Sequence, residues 1–155
     1  MKKEFIVNRS SSVTLNITAG KIDSYRKNEE TTGTVRVYRD GKIGVAGMLG
    51  TPDEGALTER AEAALAAGIP YPDTPDTALI RDERFDGEII PEKEFLPTMQ
   101  ALLDRIGEAC PRFALSNKIT LGGGSREYRN SEGRVLTWSD RALSIALVFQ
   151  DRGAG

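Results

Sequence analysis

The groups with some capacity for chemistry are few, and each has an ordinary reading beside it. Gly122-Gly123-Gly124-Ser125 has the small-residue character of a phosphate cradle. A phosphate loop needs Gly-x-x-x-x-Gly-Lys-Ser/Thr between a strand and a helix, with the lysine on the phosphates. No lysine follows here and the next segment alternates like a strand, so the run reads as a flexible hairpin loop. Gly41, Gly44 and Gly47 fall inside a hairpin and do not form a dinucleotide fingerprint. The series Asp73, Asp76, Asp82, Glu83, Asp86 and Glu88 has the oxygen chemistry for a hard cation. It lacks EF-hand spacing and is broken by Pro72 and Pro75, which makes a solvated acidic loop the better reading. No two carboxylates stand out as a glycosidase pair. Cys110 ends an apolar helical stripe, at the helix end where the dipole disfavours a thiolate, so it reads as a packing residue. Trp138 flanks a turn in a strand-like stretch; sheet packing is its ordinary role, and an exposed position would make it a recognition anchor.

The composition narrows the chemistry further. The chain of 155 residues has no histidine and one cysteine. A Ser-His-Asp or Cys-His arrangement cannot be built, nor can an imidazole or multi-thiolate zinc site. No catalytic, cofactor-binding or metal-ligating residue is therefore assigned. One cysteine also excludes an intramolecular disulfide, which suits a reducing compartment. Met1-Lys2-Lys3 begins like a secretory signal, but Asn8 and Arg9 arrive before an apolar run develops, and nowhere do enough apolar residues run together to span a membrane. The expected location is the cytoplasm. Net charge is −2, unevenly spread: residues 1–50 hold nine Lys/Arg against five Asp/Glu, residues 51–110 five against fourteen, and residues 111–155 seven against four. The basic residues stand singly along alternating segments, which argues against a nucleic-acid face.

These residues must be positioned by an α+β fold, with antiparallel β meanders at both ends packed with two main helices in one domain over 1–155. Phe5-Ile6-Val7 is a short apolar strand, and Val13, Leu15 and Ile17 alternate with Thr14, Asn16 and Thr18. Ala19-Gly20-Lys21 turns the chain into a partner strand over 22–26. Val35 and Val37 alternate towards Asp40-Gly41, the strongest hairpin signal, and the return strand over 43–48 carries Gly44 and Gly47, which leave room for close backbone approach. Thr51-Pro52-Asp53-Glu54 predicts a helix with Thr51 as cap, Pro52 in its first position and Glu54 completing a capping box. Leu57, Ala61, Ala64 and Leu65 form its apolar face, and Gly68 ends it. Residues 69–91 carry four prolines among carboxylates and read as a solvated connector, with a variable or interacting region as the second reading and one short strand near 77–80. A second helix is predicted from Glu92 or Glu94 to Ala109 with the stripe Phe95, Met99, Leu102, Leu103, Ile106, Cys110, and Pro97 fits only its first turn. Four strands follow, over 112–121, 125–130, 134–138 and 142–150.

Two stretches together resemble a known family. Gly20-Lys21-Ile22-Asp23-Ser24, then Thr32 through Ala46 running into Pro52-Asp53-Glu54, is the first; Tyr128-Arg129-Asn130-Ser131-Glu132-Gly133 followed by an alternating strand to Asp151 is the second. Their order, with a helix and a proline-bearing acidic connection between, is similar to the N-terminal domain of TldD/PmbA proteins, a family described both as modulators of DNA gyrase and as zinc metallopeptidases. The resemblance implies a longer parent whose His-Glu-x-x-x-His zinc helix lies in a C-terminal half, so zinc is expected only there and no metal residue carries over. It implies a non-catalytic domain that shapes peptide access and subunit contacts. Its partners would be a catalytic C-terminal domain, a homologous subunit in a homo- or heterodimer, and a peptide or unfolded polypeptide. Family members commonly place a helix before the first strand; this chain starts on a strand and stops at Gly153-Ala154-Gly155, as at a domain boundary. The alternative is a free-standing binding module for a protein partner or DNA.

Overall fold

The computed structural model describes residues 1–85 and 87–153. In chain order it contains β1 (Lys2–Thr18), β2 (Lys21–Arg39), β3 (Lys42–Leu49), α1 (Glu54–Ala64), one 3-10 turn (Leu65–Ala67), β4 (Leu79–Glu83), α2 (Glu92–Ala109), β5 (Phe113–Asn130) and β6 (Arg134–Asp151). The strands form one six-stranded sheet in the order β3-β2-β1-β5-β6-β4. β2 and β3 pair antiparallel from Arg39↔Lys42 to Thr32↔Leu49, and β4 runs parallel to β6 from Leu79↔Arg134 to Glu83↔Trp138. The α+β class expected from the sequence holds. Long strands replace the short ones expected: the polar run at 8–12 lies inside β1, and the glycine run inside β5.

The hairpin turns follow from residue chemistry. Asp40 and Gly41 have φ of 52° and 69°, and Ala19 and Gly20 have 48° and 77°, so both two-residue connections place two left-handed residues where the strand twist requires them.

The described chain divides into two compact units, 1–10 with 29–85 and 124–140, and 11–28 with 87–123 and 141–153. In the first unit, α1 lies on the sheet through Leu57 and Ala61, which meet Val35, Val37 and Ala46. The approach is close enough that a Cβ on Gly44 would stand 2.0 Å from the Ala61 carbonyl oxygen. The expected room at Gly44 is thus filled by helix backbone, whereas Gly47 has no neighbour nearer than 3.5 Å. Asp53, and not Thr51, caps α1: its Oδ1 accepts from the Ala56 amide at 3.0 Å, and Glu54 becomes the first helical residue. Pro52 therefore precedes the cap and packs beside Gly33. Gly68 ends the turn after α1 with φ of 68°, as expected.

In the second unit, Phe95, Met99 and Leu103 of α2 pack on Val13, Leu15 and Ile17 of β1 and Leu115 and Ile119 of β5. Leu102 and Ile106 sit at the margin of this core. α2 opens at Glu92, so Pro97 lies inside the helix and not in its first turn. Its missing amide removes one backbone bond, between the buried residues Phe95 and Met99.

Candidate functional site

The most enclosed polar group in the first unit is Glu4, the one charged or polar residue in the buried set among the described residues. β1 places it, Tyr38 comes from β2 and Tyr128 from β5. The Tyr38 hydroxyl donates to Oε2 at 2.6 Å, and the Tyr128 hydroxyl donates to Oε1 at 2.6 Å. Arg36 Nη1 stands 3.7 Å from Oε2. Burial, reinforced by the hydrogen bond to Glu4, raises the pKa of Tyr38 well above the usual tyrosine range; the same causes raise that of Tyr128. Both oxygens of the carboxylate thus accept hydrogen bonds, and both phenols are held protonated. The arrangement can pin strands together, and it offers neither a free base nor an activated nucleophile.

Around this cluster the connector between α1 and β4 departs from the expected solvated loop. Its backbone joins β3 through an Ile43 amide bond to Ile69 O at 3.1 Å, and the turn before β3 through a Tyr71 amide bond to Gly41 O at 2.8 Å. Tyr71 packs on Tyr38 with ring centroids 5.8 Å apart, and Pro75 is buried. Asn130 Nδ2 donates to Asp76 O at 2.9 Å, Arg134 Nε donates to Thr77 O at 2.9 Å, and Arg134 Nη1 reaches Asp76 Oδ2 at 2.7 Å. The prolines stiffen a strap whose carbonyls are taken by side chains of the hairpin between β5 and β6. The short strand expected near 77–80 is β4, displaced by a few residues.

The acidic series is dispersed among these contacts. Asp76 pairs with Arg134, Asp82 accepts from Thr137 and pairs with Arg84, and Glu83 pairs with Arg81. Asp86 lies outside the described residues. Among the described residues, no group of three or more His, Cys, Asp or Glu is placed to hold a metal ion. The glycine run is a correction: it is no hairpin loop but strand interior, where a Cβ on Gly122 would lie 3.2 Å from Ser11 O and one on Gly124 3.2 Å from Arg9 O. Cys110 is half-buried at the end of α2 and outside the core cluster. Trp138 is 46% exposed, beside Glu83 in the register.

What the fold does leave available is backbone. The register of β3 on β2 ends at Thr32, so among the described residues no strand lies outside the first half of β2. The register of β4 on β6 ends at Trp138, so none lies outside Arg141–Asp151. Tyr25 on the first edge is 44% exposed and donates to Glu92 of α2 at 3.1 Å, beside Lys27 Nζ at 3.2 Å from the same oxygen. The hydrogen bonds from Lys27 and Tyr25 hold the Glu92 carboxyl below the usual carboxylate range. The sequence carries no signal for these edges, because the strands expected from it are short throughout; only the structure shows β3 and β4 to be shorter than the strands they border.

Comparison with known proteins agrees with this architecture. Residues 4–68, which cover β1 to α1 and its 3-10 turn, match the family described as PmbA/TldA metallopeptidase domain 1. Among solved structures the chain is similar to TldE from Thermococcus kodakarensis, with a TM-score of 0.67, 16% identity, and coverage of 99% of this chain and 37% of that one. A protein described as a candidate modulator of a DNA gyrase from Thermotoga maritima gives 0.64, 15% identity, and coverage of 92% and 34%. Another from Bacteroides thetaiotaomicron gives 0.64, 12% identity, and coverage of 100% and 38%. No curated protein matches the chain. The family match contains the first of the two sequence stretches, and the solved structures share the fold of the chain. The chain spans between 34% and 38% of the length of the structures it matches.

Proposed function

We propose that this chain is a non-catalytic domain of a TldD/PmbA-type metallopeptidase, shaping the path of an extended peptide and contributing subunit contacts. The observation that carries the reading is the open backbone edge of β2. An extended polypeptide adds to such an edge through main-chain hydrogen bonds, which need no particular side chain. The buried Glu4 cluster fits this role as a fastener, because both oxygens of its carboxyl group accept hydrogen bonds from within the fold. Zinc and the residues that bind it would come from another part of the parent protein.

The test is a titration of a fluorescently labelled unfolded polypeptide into the purified chain, with a peptidase assay run alongside in added zinc. Saturable binding without cleavage is expected. Metal-dependent cleavage by this chain, or no binding at any concentration reached, would overturn the proposal. A DNA-binding reading gains no support from the basic residues of the first fifty. Lys2, Lys3, Arg9, Lys21, Lys27 and Arg36 each stand within ion-pair distance of a carboxylate.

A further inference from the structure

We infer that β6 is a self-pairing edge: two copies of this chain join antiparallel along Arg141–Asp151, about a two-fold axis passing through Ala146. The inference rests on the reading of this domain as one that makes subunit contacts, and it names the contact.

The stretch has the features of an unprotected edge. Among the described residues no strand covers it, and it contains no proline and no lysine, the residues that commonly guard exposed edges. Ile145, Val148 and Phe149 are 44%, 51% and 47% exposed. Phe149 is held by an edge-on contact with Phe113, ring centroids 6.0 Å apart.

The sequence of the edge is complementary to its own reverse. With the axis at Ala146, Arg141 meets Asp151, and by symmetry Asp151 meets Arg141. One step outward, Asp140 meets Arg152. Opposite charges thus close both ends of the paired segment. Between them Leu143 meets Phe149 and Ile145 meets Leu147, while Ala142 meets Gln150 and Ser144 meets Val148. Directly opposed residues in an antiparallel pair share a face of the sheet. Leu143 and Leu147 already border the core beneath α2, so this register extends the same apolar layer across the axis.

Neighbouring registers lose this match. An axis at Ile145 puts Arg141 against Phe149, and an axis at Leu147 puts Leu143 against Asp151. An axis between residues sets the α2-facing side chains against the opposite face. The contact is isologous and closes as a dimer, leaving the outer edge of β2 open for a different occupant. By contrast, Lys21–Thr31 of β2 is almost wholly polar and exposed, with no apolar alternation to match in a second copy.

The edge is tested by sedimentation equilibrium of the full chain over a concentration series. The native chain is expected to be a dimer, and Arg141→Glu and Asp151→Arg are each expected to be monomeric. An equimolar mixture of the two variants is expected to dimerise again, because it restores an opposite pair at both ends. Asp151 also accepts from Arg112, so far-UV circular dichroism checks each variant's fold. Ile145→Lys, at an exposed position, is the second variant and is expected to be monomeric whatever the outcome for the charge pair. A native chain that stays monomeric, or a dimer indifferent to Ile145→Lys and to both charge changes, would overturn the inference. Sedimentation reads mass at β6 and the polypeptide titration reads binding and cleavage, so either proposal can fail alone.

Discussion

At Gly44 a single hydrogen atom decides how closely α1 approaches the sheet. A Cβ there would overlap the Ala61 carbonyl oxygen and lie 3.0 Å from the Leu65 amide nitrogen, both backbone atoms of a packed turn. Backbone cannot rotate away as a side chain can, so Gly44→Ala should force α1 outward. Overpacking of this kind costs about 1–3 kcal/mol. Gly47→Ala, on the same strand but with its nearest neighbour at 3.5 Å, is the control and should cost much less. Urea unfolding of the two variants reads the difference; equal losses would mean that strand propensity, and not helix approach, governs both. The sequence carries a signal for this packing, since two glycines in an apolar strand invite a close neighbour, but it does not distinguish Gly44 from Gly47. Glu4 is not legible at all. It sits in Lys2-Lys3-Glu4, which looks like a solvated terminus, and its partners Tyr38 and Tyr128 lie 34 and 124 residues away. A long-range carboxylate cluster leaves no mark in local spacing.

Among the elements, helices and hairpins are legible because their signals are local. Asp40-Gly41 fixes a turn by its own backbone preferences, and the stripe from Phe95 to Ile106 fixes a buried helix face. The cap of α1 falls two residues later than the sequence predicts because Thr51, Pro52 and Asp53 all carry N-terminal signals, and only the geometry separates them. Asp53→Ala should therefore cost about 1 kcal/mol by loss of the bond to the Ala56 amide, while Thr51→Ala should be near neutral. Thermal unfolding followed at the helix signal checks this, and a larger loss at Thr51 would restore the capping box. Strand ends are less legible. The polar residues 8–12 and the glycines 122–124 break the alternation that marks a strand, yet both lie in β1 and β5, which have strands on either side. Ladder hydrogen bonds to two neighbours hold such residues extended regardless of side-chain pattern. The connector differs from its sequence expectation for a related reason: its residues are polar and mostly exposed, but its backbone is bound by Asn130 and Arg134 from a distant hairpin.

For the molecule as a whole, the buried tyrosine hydroxyls and the paired carboxyls titrate at opposite ends of the pH range, and stability should follow pH by two separate arms. In the unit that holds Glu4, Tyr38 has a pKa raised above the ordinary 10.0 by burial and by its bond to Glu4. A raised pKa means that the folded chain keeps a proton which the unfolded chain gives up. The stabilisation is complete below pH 10.0 and is lost as pH climbs through that value towards the higher folded one. In the other unit, Asp151 is lowered from 3.8 by the hydrogen bond from Arg112 and the Gly153 amide, and Asp104 is lowered from 3.8 by Gln100 and Lys21. Here the sign reverses: the contribution is present above 3.8 and is lost as pH falls below it towards the depressed folded values. Tyr38→Phe should therefore be less stable than the native chain at neutral pH, with the gap narrowing on the alkaline side. Asp151→Asn should show a smaller gap, since its partners are exposed, and that gap should narrow on the acid side. Urea midpoints of the three proteins at stepped pH separate the arms. If Tyr38→Phe closes its gap in acid, or if both variants run parallel to the native chain at every pH, then these hydrogen bonds do not govern the titration of the fold.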